Sequence, residues 1–159
     1  MGKNMTRWAI VGALSAVLAA CGSAPPPPPP PTIVALTVSA SADVNPSAEG
    51  QPAPVTIRIY QLAATGAFEK ADYFQLHDQE AAQLGTDLLA RDEVILTPGT
   101  NKTMTIEVKP GTKFLGAVAA YRDIDRAAWR ADLGVPANQT TKVAVAAGKL
   151  TLTAKAGGN

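Results

Sequence analysis

Short alternations of apolar and polar residues along the chain predict a series of β-strands. An alternation of period two is typical of strands with one buried face. It runs through residues 34–40 and 55–60, and further examples follow at 94–96, 104–108, 115–121, 129–135, 143–145 and 150–152. The last two stretches flank Ala147-Gly148 and predict a hairpin. About eight short strands with frequent turns predict a mostly-β fold with two packed sheets.

One region departs from this strand pattern. Between residues 68 and 84, apolar side chains recur every three or four positions, which is the spacing of an amphipathic helix. Gly85 follows as a helix stop. We therefore predict one or two short helices, the second capped by Asp78, inserted between strands 2 and 3.

The N-terminus has the features of an export signal. Lys3 and Arg7 precede an apolar run over residues 8–20, which is shorter than the roughly 20 residues of a membrane-spanning helix. The run ends in Leu-Ala-Ala-Cys21, which resembles the bacterial lipobox. That resemblance implies removal of residues 1–20 and acylation of Cys21. The alternative is an ordinary signal peptide followed by a chance cysteine. Gly22 after the cysteine, instead of Asp, favours the outer membrane.

Seven prolines, residues 25–31, follow the predicted lipidation site. Proline fixes φ and lacks an N–H donor, so the run favours a polyproline II rod of about 3.1 Å per residue, roughly 20 Å in all. A ligand for an SH3-type domain is the alternative, but a stiff spacer fits an exported protein better. We predict three segments: a cleaved signal peptide (1–20), a lipidated cysteine with its spacer (21–31) and a β-sandwich domain (32–159).

The composition does not favour an enzyme or a nucleic-acid-binding protein. Fourteen Lys and Arg residues balance thirteen Asp and Glu residues, so no basic field is present to attract nucleic acid. The only histidine, His77, falls in the helical insertion, and no nucleophile-base arrangement accompanies it. The Asp123-x-Asp125 pair lacks the later Gly and Glu of a calcium loop. We predict no catalytic site, metal site or cofactor.

Several segments together resemble the TssJ (SciN/VasD) family of type VI secretion outer-membrane lipoproteins. The resemblance covers roughly residues 45–135 in order and agrees with the lipobox upstream. The segments that carry it are VNP at 44–46, VTIRIYQL at 55–62, FEKADYFQL at 68–76, LGTDLL at 84–89, LTPG at 96–99, LGAVAAYRDI at 115–124 and WR at 129–130.

The resemblance implies a fold and a function. The family fold is a transthyretin-like β-sandwich with a helical insertion, and the family is not enzymatic. Its members bind the periplasmic C-terminal region of the inner-membrane protein TssM, with TssL as a further partner, and tether the secretion complex to the outer membrane. The loop between the first two strands is important for that contact. It corresponds here to Val44, Asn45, Pro46, Ser47, Ala48, Glu49, Gly50, Gln51 and Pro52.

Strand direction extends this expectation to two more loops. If consecutive strands alternate in direction, the loops after strands 1, 3 and 5 emerge at one end of the sandwich, and loops on a rigid scaffold commonly carry recognition. We therefore predict that Gly99, Thr100, Asn101, Arg122, Asp123 and Asp125 also contact the partner. Two rival classes remain: a hydrolase on a transthyretin-like scaffold, which would need several histidines, and a lipid-anchored carrier of an apolar ligand or envelope-binding module.

Overall fold

The computed structural model describes residues 26–157, so the predicted signal segment and Cys21 lie outside the described residues. Within this range, no helix is long and apolar enough to cross a membrane. The strands are β1 (Ile33–Ala40), β2 (Val55–Leu62), β3 (Leu88–Leu96), β4 (Asn101–Glu107), β5 (Phe114–Ala119), β6 (Arg130–Gly134), β7 (Thr140–Ala147) and β8 (Leu152–Ala156). Three short helices, α1 (Gly66–Lys70), α2 (Tyr73–Asp78) and α3 (Glu80–Leu84), and a 3₁₀ turn (Gly85–Asp87) connect β2 to β3.

The eight strands form two four-stranded sheets. The first has the order β4-β1-β7-β8 and the second β3-β2-β5-β6. All neighbouring strands are antiparallel except β1 and β7, which pair in parallel with Val34 beside Thr141. The predicted fold class, a mostly-β two-sheet structure of eight strands with helices between strands 2 and 3, is confirmed.

Alternating side chains from both sheets form the main core. Each strand of the sandwich turns one face inward, so the period-two alternation in the sequence becomes a buried layer. Leu36 and Ile57 are fully buried there, and burying one such side chain stabilises the fold by about 1.5–3 kcal/mol. The other members of this core include Val34, Val38, Val55, Ile59, Val94, Leu96, Leu115, Ala117, Val143, Val145 and Leu152.

The helical insertion covers the outer face of the second sheet and builds a second core. Tyr60 and Phe68 lie in this cluster with Leu62, Leu76, Leu84 and Val118. The rings of Tyr60 and Phe68 are 5.8 Å apart. Gly116 on β5 leaves room for Phe68, because a Cβ there would lie 2.8 Å from the Phe68 ring. The middle of the second sheet is therefore buried on both faces.

Two details of the sequence prediction require correction. The cap of α2 is Asp72, whose carboxylate accepts from the Gln75 N–H at 2.8 Å in a capping box. Asp78 is the last residue of α2 and caps no helix, so that prediction was wrong. Strand β3 begins at Leu88, well before the predicted start. Its middle carries exposed charged residues at the sheet edge, which hide the apolar alternation.

Consecutive strands alternate in direction, so the sandwich has two distinct ends. The loop end holds the connections 41–54, 97–100, 120–129 and 148–151. The opposite end holds the proline segment 26–32 and the turns 108–113 and 135–139, and we call it the anchor end because the proline segment follows the predicted lipidation site. There, the Thr32 carbonyl accepts from the Val108 N–H at 3.1 Å, and the Thr32 hydroxyl accepts from the Asn138 N–H at 2.8 Å. These bonds attach the proline segment to both turns where it enters β1.

Candidate partner-binding surface at the loop end

Backbone hydrogen bonds join the connections at the loop end to one another. The Ala40 N–H donates to the Thr100 carbonyl at 2.9 Å, and the Gly99 N–H donates to the Ser41 carbonyl at 3.1 Å. The Ser41 N–H donates in turn to the Ala147 carbonyl at 2.8 Å. Three connections therefore meet at the end of β1, because both neighbours of β1 present their own loops there.

Asn45 links three of the four connections. It is almost fully buried and has a positive φ of 49°, a conformation that Asn tolerates better than most residues. Its side-chain Nδ2 donates to the Pro54 carbonyl at 2.6 Å, and its Oδ1 accepts from the Arg122 N–H at 2.8 Å. Its own N–H donates to the Lys149 carbonyl at 3.1 Å. One residue thus fixes the loops 41–54, 120–129 and 148–151 relative to each other.

The tip of the 41–54 loop is held by its own hydrogen bonds. The Ser47 N–H donates to the Gln51 carbonyl at 2.8 Å, and the Gly50 N–H donates to the Ser47 carbonyl at 2.9 Å. Gly50 has a φ of 81°, which favours glycine. The Ser47 hydroxyl donates to Glu49 at 2.7 Å and, with a backbone hydrogen bond, lowers the pKa of that exposed carboxyl. The tip is therefore a turn of defined conformation that carries the negative charge of Glu49.

A groove of about 720 Å³ lies between this tip and the neighbouring loops. One wall is the tip itself, and the other comes from the 120–129 and 148–151 connections. Five of its side chains carry charge, and three, Pro46, Ala48 and Leu150, are apolar. The lining residues are Pro46, Ser47, Ala48, Glu49, Gly50, Arg122, Asp123, Arg126, Lys149 and Leu150.

The charges in the groove are unequally paired. Arg126 forms an ion pair with Asp123, and their hydrogen bond lowers the pKa of the Asp123 carboxyl and raises the pKa of Arg126. Across residues 26–157, neither Arg122 nor Lys149 has a carboxylate within the 4.0 Å of an ion pair. Both side chains are exposed. The groove therefore holds two exposed cations that form no ion pair with a described residue.

The residues predicted from the sequence fall into different environments. Val44 and Asn45 are buried and make internal contacts, whereas residues 48–52 are exposed. Gly99, Thr100 and Asn101 lie at the same end beside Ser41 but outside the groove. Arg122 and Asp123 line the groove, and Asp125 is exposed on the same loop.

The sequence prediction missed two groove residues, Lys149 and Leu150, which lie in the β7–β8 connection. Arg126 lies in the predicted loop after strand 5, over residues 122–127, but was not named as a contact. The rule that placed the loops after strands 1, 3 and 5 at one end applies equally to the loop after strand 7. The order of the strands therefore predicts that this connection lies at the loop end, because it follows an odd-numbered strand, β7.

Tyr121 supports the 148–151 connection, which forms part of the groove wall. Its side chain is buried, and its hydroxyl donates to the carbonyls of Thr151 at 2.8 Å and Gly148 at 3.2 Å. Burial raises the pKa of this phenol well above its usual range. The hydroxyl therefore holds the β7–β8 turn in place, and the ring is buried as expected for an aromatic next to a strand.

His77, the only histidine, lies far along the chain from this groove. It occupies the last turn of α2, where its Nδ1 lies 2.8 Å from a carboxylate oxygen of Asp78. Both side chains are exposed. Within the described range, no group of three or more His, Cys, Asp or Glu residues is arranged to hold a metal ion.

The fold and this surface define a small β-sandwich that presents a set of joined loops at one end, an arrangement typical of binding modules. The sequence matches the profile of the type VI secretion lipoproteins, a family that includes VasD, EvfM and TssJ, over residues 32–150. The chain belongs to this family of type VI secretion lipoproteins.

Solved structures agree with this assignment. The chain is 41% identical to the lipoprotein TssJ1 from Pseudomonas aeruginosa, with a TM-score of 0.79, covering 82% of this chain and 99% of that one. It is 29% identical to Serratia marcescens Lip, a membrane-bound component of the type VI secretion system, with a TM-score of 0.72 and coverage of 81% and 98%.

A chain in a structure described as the TssM C-terminal domain from EAEC is 28% identical, with a TM-score of 0.64 and coverage of 78% of this chain and 98% of that one. Among curated proteins, no sequence is significantly similar to the chain.

Proposed function

We propose that this lipoprotein binds the periplasmic C-terminal region of a TssM-like inner-membrane protein through its loop end and tethers it to the outer membrane. The observation that carries the proposal is the joined set of loops around Asn45 and the groove beside it. A surface whose loops are already held together loses little conformational entropy on binding. TssL would join the assembly indirectly, through TssM.

Support for the partner comes from the comparisons. Membership of the type VI secretion lipoproteins places the chain in a secretion system, and one similar structure is described as the TssM C-terminal domain. The exposed part of the 41–54 loop supplies the contact surface in this proposal. Val44 and Asn45 act there as internal supports, because their side chains are buried.

The anchor end supports the membrane part of the proposal. The proline segment enters β1 at that end, opposite the loop end, so an anchor at Cys21 would leave the groove facing away from its membrane. We propose that residues 1–20 are removed, that residues 21–31 form the anchor and spacer, and that the domain begins at residue 32. Several acyl chains make such anchoring effectively permanent, since each buried CH₂ adds about 0.8 kcal/mol.

We also propose that the protein is not an enzyme. The family is one of secretion lipoproteins, and the groove residues are two carboxylates, three cations and small or apolar groups. His77 is not among the residues that line the groove, and it hydrogen-bonds Asp78 on the helical insertion. The charged lining also favours a protein partner over an apolar ligand.

Calorimetry with the soluble domain (residues 32–159) and the periplasmic C-terminal region of the TssM-like protein tests the proposal. We expect saturable one-to-one binding. A variant with residues 46–52 replaced by Gly and Ser, which retains Asn45, should lose it. The control variant carries Gly and Ser at residues 136–138 of the anchor end and should bind like the wild type. A folded domain that binds no TssM region would contradict the proposal.

The anchor is tested separately in cells. Cys21→Ser should abolish acylation by labelled palmitate and remove the protein from the outer-membrane fraction. Recovery of the acylated wild type in the inner-membrane fraction would contradict the proposed location without affecting the binding result.

A further inference from the structure

We propose that the groove at the loop end takes an acidic segment of the protein partner, whose carboxylates pair with Arg122 and Lys149. This inference rests on the proposed function, because it specifies the chemistry of the partner at the same surface. It is carried by the placement of the two cations and by the finding that, among the described residues, no carboxylate lies within 4.0 Å of either one.

Arg122 and Lys149 are positioned by a shared support. The Arg122 N–H donates to the Asn45 Oδ1 at 2.8 Å, and the Lys149 carbonyl accepts from the Asn45 N–H at 3.1 Å. Both backbones are thus fixed relative to one buried residue. Their side chains stay exposed and line one groove. Two cations whose backbones are fixed on one residue favour a ligand that carries more than one carboxylate.

The other charges in the groove leave this pair available. Arg126 is committed to Asp123, and Glu49 accepts a hydrogen bond from the Ser47 hydroxyl. The positive charge of Arg122 contributes only a smaller share to the lowered pKa of Glu49, after that hydrogen bond. Three cations and two carboxylates leave the lining with an excess of one positive charge. An anionic ligand would therefore complement the groove.

The position of the groove favours a protein over lipid headgroups. The proline segment enters at the anchor end, and the eight residues of β1 separate the two ends by roughly 26 Å at about 3.3 Å per residue. That distance exceeds the Debye length of about 8 Å at physiological ionic strength. The membrane that holds the anchor would thus exert little attraction on Arg122 or Lys149. Pro46, Ala48 and Leu150 add apolar contacts suited to a peptide segment.

Charge reversal tests the inference. The double variant Arg122→Glu/Lys149→Glu should bind the TssM region at least tenfold more weakly than the wild type. The matched control Lys109→Glu/Lys113→Glu changes the net charge equally at the exposed surface of the anchor end and should bind within about twofold of the wild type. Thermal unfolding of each variant establishes that it is folded, since the altered side chains are exposed and make no described ion pair.

Salt dependence supplies a second measurement. Wild-type affinity should fall as sodium chloride rises from 50 to 500 mM, and the neutral variant Arg122→Gln/Lys149→Gln should bind more weakly with a flatter dependence. If the reversed variant binds TssM as tightly as the wild type, the inference of an acidic partner segment is wrong, and the proposed binding of TssM still holds. If the wild type does not bind at all, the proposed function itself fails. Binding of the soluble domain to phosphatidylglycerol vesicles that depends on Arg122 and Lys149 would assign the groove to lipid instead.

Discussion

The two ends of the sandwich each contain one buried side-chain amide, and the two amides differ in what they hold. At the loop end, Asn45 bonds to segments before β2, after β5 and after β7. At the anchor end, Gln61 accepts from the Lys109 N–H at 2.8 Å and so fixes a single turn. Both residues are 3% exposed.

The number of segments that each amide holds matches the different structural requirements of the two ends. A binding surface made of several connections needs a common support, because each loop alone would have many conformations to lose on binding. A turn beside the proline segment needs only a contact that fixes it to one neighbouring strand. The long β2–β3 connection begins at the anchor end but packs its helices over the second sheet. The described part of the anchor end thus consists mainly of the proline segment and two short turns.

The largest effect is expected from Asn45→Ala. The substitution removes both side-chain hydrogen bonds and leaves a residue with a Cβ at a positive φ, so the free energy of unfolding should fall by about 2–4 kcal/mol. Urea unfolding measures the loss, and partner binding by the remaining folded protein should weaken as well. Asn45→Gly should cost less, because Gly accepts the backbone conformation. Equal losses for the two variants would contradict the contribution from backbone strain.

A smaller effect is expected at the opposite end from Gln61→Ala. The change leaves the Lys109 N–H without its acceptor and should lower the free energy of unfolding by about 1–2 kcal/mol. The affinity for the TssM region should stay unchanged at a temperature where the variant is fully folded. A loss of affinity as large as that of Asn45→Ala would remove the distinction between the two ends.

Tyr121→Phe should have a still smaller effect, confined to the loop end. It keeps the buried ring but removes the hydroxyl that donates to Thr151 and Gly148, so we expect a loss of about 1 kcal/mol. Hydrogen exchange should become faster at the Gly148 N–H, which donates to the Thr151 carbonyl across the same turn. Unchanged exchange there would show that the hydroxyl does not hold the turn.

The remaining effect concerns pH and the second core. Burial raises the pKa of the Tyr60 phenol to about 12, whereas an unfolded tyrosine titrates near 10. The folded state therefore holds its proton more tightly, so this contribution to stability is complete below about pH 10 and is lost as the pH rises toward 12. Tyr60→Phe should flatten that decline in urea unfolding between pH 9 and 11.5. An equally steep decline in the variant would assign it to Tyr121 or Tyr73, because burial raises the pKa of both phenols as well.

The predicted strands depended on residues whose local pattern matched their final environment. The inward face of β1 reads Val34, Leu36, Val38 in the sequence and lies entirely in the core. Pro98-Gly99 and Pro110-Gly111 mark turns that the structure contains, with Gly99 at a φ of 75°. The start of β3 escaped prediction, because the charged residues of an exposed edge strand lack an apolar alternation.

The sequence by itself determined the class of fold, the helical insertion and the family, because these follow from local periodicity, turn residues and recognisable segments. Only the tertiary structure decided that β1 pairs in parallel with β7, since both strands have the same alternation that an antiparallel pair would have. It also decided that Asn45 is a buried support and that Arg122 and Lys149 share one groove. Those roles depend on contacts between residues far apart in the chain, which no local pattern encodes.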